Sequence, residues 1–354
     1  MSREIDRSAP VMISGATGYV AGWIVKKLLD EGLTVHAPVR NPYNLEKLKH
    51  LQALADSAPG DLRFFKADLL QEGSYDAAMA GCQLVFHTAS PFELTVADPQ
   101  RDLVDPAVNG TRNVLASANR TDTVERVVLT SSCAAIYGDN CDLQSLPAKT
   151  LNEEVWNTSS DLAHQAYSYS KTLAERAAWQ LVAAQERWDL VVINPSFVIG
   201  PAIDPQSNSE SFALIKQLGD GSMKSGAPVY GIGVIDVRDL AEAHFRAGFT
   251  AAASGRHIIS GHDSSFLQIA GILHQQFGDR FPIPSRKMPK WLIWMVGPIA
   301  TKGAMTRKMI SRNVGYAWKA DNAKSVTELG MTYRDEQESL VDMFQQMADN
   351  QRFD

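Results

Sequence analysis

Short apolar runs alternate with helical patterns through the first two-thirds of the chain. The runs rich in Val, Ile and Leu predict strands at residues 11–14, 33–39, 62–67, 84–88, 126–130 and 190–194. The intervening patterns predict helices at residues 19–31, 44–54, 75–80, 105–119 and 164–186. Because strands alternate with helices, we predict an α/β fold in which helices cover both faces of a doubly wound parallel sheet.

The alternation becomes irregular after Pro195. Residues 200–233 are rich in Gly, Pro and Ser, a composition that predicts loops around a pocket. Residues 231–239 precede an Ala-rich helix and predict a strand that returns to the sheet, whereas residues 321–347 predict outer helices. The expected organisation is a larger domain of residues 1–199, to which residues 228–262 return, and a smaller domain of residues 200–227 and 263–354.

Composition excludes several function classes. The 354 residues carry a formal net charge of −6 without a marked Lys/Arg run, so a nucleic-acid partner is not expected. Three cysteines without a C-x-x-C pair predict neither a disulfide framework nor a metal site. The N-terminus lacks a leader pattern, so we expect a cytoplasmic protein. The apolar segment 291–300 is too short to span a bilayer, so we expect a buried or cavity-lining helix and no membrane partner.

The predicted turn between the first strand and the first helix has the spacing Gly15-x-x-Gly18-x-x-Ala21. Glycines at these positions allow the backbone to approach a pyrophosphate closely, and the helix N-terminus faces the negative charge. A glycine cluster alone also occurs in ordinary turns, but its position after a strand and before a helix indicates a dinucleotide site. The cofactor-binding residues predicted in this turn are Gly15, Thr17, Gly18, Tyr19 and Val20.

The residue at the end of the second strand distinguishes the two nicotinamide dinucleotides. An acid there binds the ribose 2′-hydroxyl of NAD, whereas an Arg accommodates the 2′-phosphate of NADP. This chain has Arg40 and no acid at that position, and Lys47 in the following helix adds a second positive charge. The alternative is that Arg40 is an ordinary solvated residue at a strand end. We predict NADP(H) as the cofactor.

Tyr167 and Lys171 are four residues apart at the start of a predicted helix and therefore share one face. A phenol has a pKa near 10, so a nearby cation that stabilises the phenolate makes it a better proton donor at neutral pH. Tyr167 could then protonate a carbonyl oxygen as hydride reaches the carbon. The same spacing occurs in Tyr43-x-x-x-Lys47, which follows the second strand, out of reach of a nicotinamide.

Ser132 distinguishes the two Tyr-Lys pairs, because it follows the predicted strand 126–130. The carboxyl ends of parallel strands line the ligand crevice of a doubly wound sheet. A serine hydroxyl at that edge can donate a hydrogen bond to a developing oxyanion. The alternative for Ser132 alone is a hydroxyl that caps the strand end. We predict that Ser132, Tyr167 and Lys171 are catalytic.

Together these residues resemble the extended short-chain dehydrogenase/reductase superfamily, and within it the branch of dihydroflavonol reductases, cinnamoyl-CoA reductases and aldehyde or ketone reductases. The resemblance extends over nearly the whole chain. Its motifs are the glycine turn, the Tyr-Lys pair and residues 39–42, 66–69, 85–91, 130–132 and 195–198. It implies a Rossmann-type sheet with a smaller C-terminal substrate-binding domain. It also implies NADP(H)-dependent reduction of an aldehyde or ketone on a small organic substrate to the alcohol, by hydride transfer with a Tyr as the proton donor.

The resemblance implies roles for individual residues of this chain. Ser132, Tyr167 and Lys171 match the catalytic residues of the family, and the last two also contact the cofactor. Arg40 and Lys47 match its ligands of the 2′-phosphate. Asp68 and Leu69 match residues near the adenine. Thr88, Ala89 and Ser90 match residues near the nicotinamide-side ribose and phosphates. Pro195 and Val198 match residues near the nicotinamide amide.

The segment 131–138 also aligns with sugar-nucleotide epimerases through its Ile-Tyr-Gly ending, and that register places Cys133 at the catalytic serine position. The first alternative is therefore an NAD(P)-dependent epimerase or dehydratase of a sugar nucleotide. Two further alternatives are a hydroxysteroid dehydrogenase-like enzyme and an inactive NADP sensor. The smaller domain shows no anion clamp for a nucleotide diphosphate, which favours the reductase. Either a monomer or a homodimer is compatible with the sequence. Candidate aromatic residues for the substrate pocket, none of them assigned, are Phe92, Tyr137, Phe197, Phe212 and Trp291 or Trp294.

Overall fold

The computed structural model describes residues 4–90, 97–207, 209–301, 303 and 305–353. Its strands are β1 (Val11–Ser14), β2 (Thr34–Val39), β3 (Asp61–Lys66), β4 (Leu84–His87), β5 (Arg126–Thr130), β6 (Asp189–Pro195), β7 (Phe197–Ile199), β8 (Gly231–Asp236), β9 (Gly255–Ile259) and β10 (His262–Ser265). Its α-helices are α1 (Tyr19–Asp30), α2 (Leu45–Ser57), α3 (Asp76–Met79), α4 (Asp105–Arg120), α5 (Ala166–Val182), α6 (Glu210–Gly219), α7 (Val237–Phe249), α8 (Phe266–Phe277), α9 (Lys290–Ala300), α10 (Arg307–Asn313), α11 (Ala323–Leu329) and α12 (Glu336–Asp349).

Seven strands form one parallel sheet in the order β3-β2-β1-β4-β5-β6-β9. The strand order reverses between β1 and β4, and a ligand crevice opens at such a point, outside the carboxyl ends of the strands. The six strands and five helices predicted before Pro195 are all present, with shifts of a few residues at their ends. The predicted Rossmann-type, doubly wound α/β fold is confirmed.

Two apolar layers hold the helices against this sheet. Successive strand residues point to opposite faces, so Val11 and Ile13 of β1 join one layer and Met12 joins the other. The first layer receives side chains from α1, α2 and α7, and the second receives side chains from α3, α4 and α5. Because both faces are covered, the central strands β1 and β4 are buried along their whole length, as continuous apolar runs predict.

The predicted return of residues 231–239 to the main sheet is wrong. Strand β8 pairs parallel with β7 and antiparallel with β10 in a separate three-stranded sheet. The strand that completes the main sheet is β9, which pairs with β6. Gly233 lies so close to the indole of Trp318 that a Cβ atom there would be 2.1 Å from the ring, so this glycine allows β8 to pack against the C-terminal part of the chain. The division into two domains stays a prediction.

Residues 200–233 are not only loops, because they contain α6. Phe212, Ile215 and Leu218 of this helix are buried at three-residue spacing in an apolar cluster with α8 and α12. The flanking Gly, Pro and Ser residues obscured this pattern in the sequence. The helices predicted within 321–347 are confirmed as α11 and α12, and α12 buries Met343 and Phe344 in the same cluster, so it is less peripheral than predicted.

The apolar segment 291–300 is helical. Of the two expectations, a buried or a cavity-lining helix, the first is wrong, whereas Trp291, Trp294 and Met295 do line an open cavity at the surface. In α9 only Ile293 and Gly297 are buried, where they pack near Ile310 of α10. Trp291 is 63% exposed and Ile299 is 80% exposed. The segment is apolar all round its axis, and only one face of the helix has a partner. No helix among the described residues is long and apolar enough to cross a membrane.

Candidate active site

The turn between β1 and α1 has the geometry of an anion cradle. Gly15 has φ +72°, a backbone conformation that is strained for any residue with a side chain. A Cβ atom there would also lie only 3.0 Å from the Cα atom of Ala89. Gly18 is the N-cap of α1, and its N–H donates to the carbonyl of Gly15 (2.8 Å). No side chain caps this helix end, so the first N–H groups of α1 are left for an anion. The turn therefore fits a pyrophosphate.

The buried side chain of Ser14 joins this turn to the end of β4. Its Oγ atom accepts the N–H groups of Thr88 and Ala89, each at 3.1 Å, and lies 2.9 Å from Nδ1 of His87. Burial and the nearby charge of Lys171 lower the pKa of His87 to about 3, so this imidazole is neutral at physiological pH. The segment 88–90 is thereby held beside Gly15, as the resemblance implies.

Two cations that form no ion pair within the described part of the chain lie beyond the end of β2. Arg40 directly follows β2, and Lys47 is in the first turn of α2, which Asn44 caps by accepting the Lys47 N–H at 3.2 Å. Both side chains are exposed, and neither forms an ion pair with a carboxylate of the described residues. Uncompensated cations at this edge fit a 2′-phosphate.

Asp68 and Leu69 follow β3 at the same edge of the sheet. Asp68 is exposed, and its carboxylate accepts the N–H of Leu70 at 2.9 Å in a tight turn. Leu69 is half-buried against Gly110 of α4, where a Cβ atom would approach the Leu69 side chain to 2.7 Å. The turn orients the carboxylate, and the close packing fixes the backbone beside it. Their predicted contact with adenine is compatible with this placement and stays a prediction.

Tyr167 is the second residue of α5, and its side chain forms a hydrogen bond with Ser132, which follows β5. Burial raises the pKa of the Tyr167 phenol, the hydrogen bond with Ser132 opposes this shift, and the charge of Glu210 adds to it. The phenol therefore keeps its proton at neutral pH, as a proton donor must. The other spacing match fails this test, because Tyr43 is 86% exposed at the start of α2.

Lys171 lies one helical turn after Tyr167 and is buried. Its Nζ atom is 5.9 Å from the centroid of the Tyr167 ring. Burial lowers the pKa of Lys171 to about 8, and the negative charge of Glu175 partly opposes that shift. Among the described residues its ammonium group has no hydrogen-bond partner, so it can donate to a ligand.

The structure distinguishes the two alignments of the segment after β5. The hydroxyl that reaches Tyr167 is that of Ser132. Cys133 is buried in an apolar cluster, its thiol lies 3.3 Å from the carbonyl oxygen of Asn194, and burial raises its pKa. This geometry favours the reductase alignment over the alignment that places Cys133 at the serine position.

The sequence did not reveal a buried carboxylate behind the Tyr-Lys pair. Glu175, one turn after Lys171, accepts hydrogen bonds from Ser131 (2.5 Å) and from the side-chain amide of Asn194 (2.9 Å). Its second oxygen lies 2.6 Å from Nε of Arg256, a buried residue of β9. The spacing of Lys171 and Glu175 on one helix face was a usable signal, whereas nothing local indicated Arg256.

A second buried carboxylate anchors the start of α5. Asp139 lies 2.8 Å from Nε2 of His164 and accepts a hydrogen bond from Nε of Arg312 in α10 at 2.5 Å. Gln165, which immediately precedes α5, has φ +58°, a rare value for a residue other than glycine, and its amide donates to Asp139 at 3.3 Å. Asp139 thus connects the smaller C-terminal part of the chain to the backbone that carries Tyr167.

Pro195, the last residue of β6, is buried, and Val198 of β7 is half-buried; β6 is the neighbour of β5, the strand that precedes Ser132. Between them, the hydroxyl of Ser196 is buried without a hydrogen-bond partner among the described residues. An unpartnered buried hydroxyl is costly unless a ligand satisfies it, so this loop fits a polar group such as the nicotinamide amide.

Tyr19, predicted as a cofactor-binding residue of the turn, contacts the segment that follows β7. Its hydroxyl donates to the carbonyl of Gly200 (2.6 Å), and its ring meets that of Phe212 edge to face. Val20 is half-buried against the core, and Thr17 is exposed at the turn.

Of the aromatic candidates for the pocket, Phe212 is core rather than lining, and Tyr137 and Phe197 are half-buried. Trp291 and Trp294 are on the exposed face of α9, and Phe92 lies outside the described residues.

The predicted cofactor-binding and catalytic residues, in contrast, converge at the carboxyl edge of six neighbouring strands.

Comparisons with known proteins agree with this architecture. The model of the NAD dependent epimerase/dehydratase family matches residues 11–259. Cinnamoyl-CoA reductase CAD2 of Medicago truncatula is 39% identical over 283 residues, which are 79% of this chain and 82% of the relative. Dihydroflavonol 4-reductase of Gerbera hybrida is 33% identical, covering 80% of this chain and 76% of the relative.

A solved structure extends the likeness over nearly the whole chain. The yeast methylglyoxal/isovaleraldehyde reductase Gre2, complexed with NADPH, superposes with a TM-score of 0.76 and 28% identity, covering 98% of this chain and all of that one. The TM-score of 0.76 over 98% of this chain shows that the two proteins share one fold. The chain therefore belongs to the NAD dependent epimerase/dehydratase family and is an oxidoreductase of the extended short-chain dehydrogenase/reductase type.

Proposed function

We propose that this protein is an NADPH-dependent reductase that converts an aldehyde or ketone on a small organic substrate to the alcohol. The observation that carries the proposal is the half-buried Tyr167, whose hydroxyl is hydrogen-bonded with Ser132 and which is followed one turn later by the buried ammonium group of Lys171. The phenol is protonated at neutral pH. Ser132 and Lys171 are positioned to stabilise the phenolate that forms when Tyr167 loses its proton.

The residues of this chain provide a place for NADPH along the crevice. The glycine turn and the N-terminus of α1 hold the pyrophosphate, and Arg40 and Lys47 hold the 2′-phosphate. Lys171 would donate a hydrogen bond to the nicotinamide-side ribose. The hydroxyl of Ser196 would form a hydrogen bond with the nicotinamide amide. When bound, NADPH supplies the hydride that reaches the carbonyl carbon.

The proton takes a separate path through the side chains. Ser132 donates a hydrogen bond to the carbonyl oxygen of the substrate, and this bond strengthens as negative charge develops there. Tyr167 donates its hydroxyl proton to the same oxygen. The ammonium group of Lys171 stabilises the phenolate that results and so lowers the energy of the proton transfer. His87, neutral beside Lys171, adds no competing positive charge.

The substrate class rests on the relatives and on the lining of the crevice. The similar proteins are named for reduction of cinnamoyl-CoA, dihydroflavonol, methylglyoxal and isovaleraldehyde, all of them carbonyl compounds. Tyr137 and Phe197, which follow β5 and β6 and are half-buried, are our candidates for that lining, and their rings would favour an apolar or aromatic body attached to the carbonyl.

The experiment follows consumption of NADPH by purified protein with aldehydes, ketones and acyl-CoA thioesters, and runs NADH in parallel. We expect turnover of at least one aldehyde or ketone and a preference for NADPH. A preference for NADH would contradict the roles given to Arg40 and Lys47. Binding of NADPH without turnover of any carbonyl compound, together with turnover of a nucleotide sugar, would contradict the reductase.

A further inference from the structure

Helix α9 presents an apolar face with no partner among the described residues. Trp291, Trp294, Met295, Val296 and Ile299 are between 40% and 80% exposed, and we call this set the α9 surface. Single exposed apolar side chains are ordinary in proteins, but five of them on one 11-residue helix form a patch of the kind that marks an interaction site. The helix buries its opposite face through Ile293, so the exposed residues are not needed for its own packing.

The charges around this surface differ from those of the rest of the chain. Residues 286–320 contain eight Lys or Arg residues and no Asp or Glu, although the whole chain has a net charge of −6. The side chains of Arg286, Lys287, Arg307 and Lys308 are exposed, and none forms an ion pair with a described carboxylate. The guanidinium of Arg307 lies 4.5 Å from the centroid of the Trp294 ring, so this cation borders the apolar face, and Arg286 and Lys287 shortly precede α9 in the chain.

We infer that the α9 surface binds an anionic lipid bilayer, with α9 lying in the plane of the headgroups. Trp, Met and Ile side chains enter the boundary between headgroups and acyl chains, where amphipathic aromatic rings are favoured. The bordering cations meet the anionic headgroups, as basic residues beside interfacial helices do. The inference departs from the sequence-based expectation of no membrane partner. It concerns surface binding, since α9 is far shorter than a spanning helix.

Charge also decides between the bilayer and a second copy of this chain. A symmetric dimer through α9 would bring two copies of the same patch together and would place two acid-free basic segments opposite each other. That repulsion opposes self-association through this face. An acidic protein would complement the cations, but the two exposed tryptophans next to cations are typical of the interfacial region of a membrane. Neither the inference nor its test depends on the proposed reaction.

The test measures co-flotation of the full-length protein with vesicles. One set contains phosphatidylcholine with about 30% phosphatidylglycerol and the other contains phosphatidylcholine alone, each in about 0.05 M and about 0.5 M NaCl. We expect binding to the anionic vesicles at low salt, and at least about fivefold weaker binding at high salt or without phosphatidylglycerol.

Three variants separate the contributions. The double substitution Trp291→Ser/Ile299→Ser removes apolar contacts, and Arg286→Ser/Lys287→Ser removes charge. We expect each to weaken binding at low salt by at least about fivefold, and the charge variant to flatten the salt dependence. Val326→Ser changes an apolar side chain on α11 that is 43% exposed, and it should bind like the unchanged protein. Far-ultraviolet circular dichroism and the thermal midpoint should be the same for all four proteins.

Four results would overturn the inference. One is no binding to anionic vesicles at low salt, and another is equal binding by the unchanged protein and both double variants. The third is a concentration-dependent dimer that Trp291→Ser/Ile299→Ser dissociates, which would assign the α9 surface to a second copy. The fourth is retention by an acidic polypeptide, polyglutamate, without retention by vesicles, which would assign it to an acidic protein partner.

Discussion

Lys171 carries an ammonium group in a buried position, and this determines how the proposed site responds to pH. Burial lowers the pKa of Lys171 to about 8, whereas the phenol of Tyr167 is raised above its ordinary pKa by the same loss of water. The two pKa values shift in opposite directions, but each shift favours the neutral form of its group. At neutral pH the lysine is still a cation and the tyrosine is still a neutral acid, which is the combination that protonation of a carbonyl requires.

The first prediction concerns this pH dependence. The active form has Lys171 protonated, so activity is present below its pKa and is lost as the pH rises through that value. We expect kcat/KM for carbonyl reduction, which reports the free enzyme, to fall above about pH 8 with a slope approaching one decade per pH unit. Stopped-flow or steady-state rates between pH 6 and about pH 10 measure it. A profile that is flat through this range would contradict the role of Lys171.

The second prediction concerns the exposed Arg40. In Arg40→Ala the 2′-phosphate loses a charge-assisted interaction, worth about 1.5–3 kcal/mol, so KM for NADPH should rise about 10- to 100-fold while KM for NADH changes little. Because Arg40 is exposed and forms no ion pair with a described residue, its loss should leave the thermal midpoint unchanged. Arg63→Ala, an exposed cation of β3, is the charge-matched control. An equal rise of KM for both dinucleotides would contradict the assignment.

At the scale of single elements, the turn before α1 offers a comparison between two glycines. Gly15 and Gly32 have similar backbone angles, φ +72° and φ +79°, so an alanine is strained equally at both, by about 1–2 kcal/mol. They differ in space: a Cβ atom at Gly15 meets the backbone of Ala89 at 3.0 Å, whereas one at Gly32 meets nothing within 4 Å.

The third prediction uses this pair. Gly15→Ala should weaken NADPH binding by at least about tenfold, because the turn must move away from Ala89 and its N–H groups then miss the pyrophosphate. Gly32→Ala should lose similar stability without losing affinity. Isothermal titration with NADPH and urea denaturation of both variants measure the two effects. Equal affinities in the two variants would show that the turn does not hold the cofactor.

Helix α5 carries Tyr167 and Lys171, two of the three proposed catalytic residues, and also Glu175, which joins it to three strands. Ser131 follows β5, Asn194 is in β6 and Arg256 is in β9, and all three reach this one carboxylate. Arg256 also stacks on Trp156, with 4.0 Å between its guanidinium and the ring centroid. The buried ion pair fixes the orientation of α5 relative to the edge that bears Ser132.

The fourth prediction is made for Glu175→Gln. Removing the carboxylate leaves Arg256 buried without its counter-ion, so the free energy of unfolding should fall by about 3–5 kcal/mol. The pKa of Lys171 should also fall, since Glu175 raises it, and the alkaline loss of activity should move to lower pH. Asp30→Asn, which breaks the exposed Lys26–Asp30 pair, should cost no more than about 0.5 kcal/mol and leave the pH profile unchanged. A shift in stability without a shift in the pH profile would make Glu175 purely structural.

The sequence predicted the elements that depend on local pattern and missed the contacts that depend on distant partners. The strands through β6 were predicted because apolar runs and glycine turns are local signals. The placement of β8 failed because β8 and β9 are both short strands, and only contacts such as that of Gly233 with Trp318 decide which one joins the main sheet. Arg256 was missed for the same reason, because its partner lies 81 residues away along the chain.

At the scale of the whole molecule, the part of the chain after β7 is tied to the nucleotide side by direct hydrogen bonds. The indole of Trp23 in α1 donates to the carbonyl of Pro201 (2.7 Å), next to the bond between Tyr19 and Gly200. Gln346 of α12 exchanges two hydrogen bonds with the backbone of Ala202, at 2.8 and 2.9 Å. The segment that borders the substrate side of the crevice is thus fixed from both directions, which favours a preformed pocket.

The central claim is that Tyr167 protonates a carbonyl oxygen, and Tyr167→Phe tests it most directly. The measurement is kcat with the best carbonyl substrate, alongside the affinity for NADPH, with Tyr43→Phe as the control for the exposed Tyr-Lys spacing. We predict that kcat falls by about 10²- to 10⁴-fold while the affinity for NADPH stays within about threefold, and that Tyr43→Phe leaves both unchanged. A Tyr167→Phe protein that retains kcat within about threefold would contradict the claim, because the proton would then come from another group.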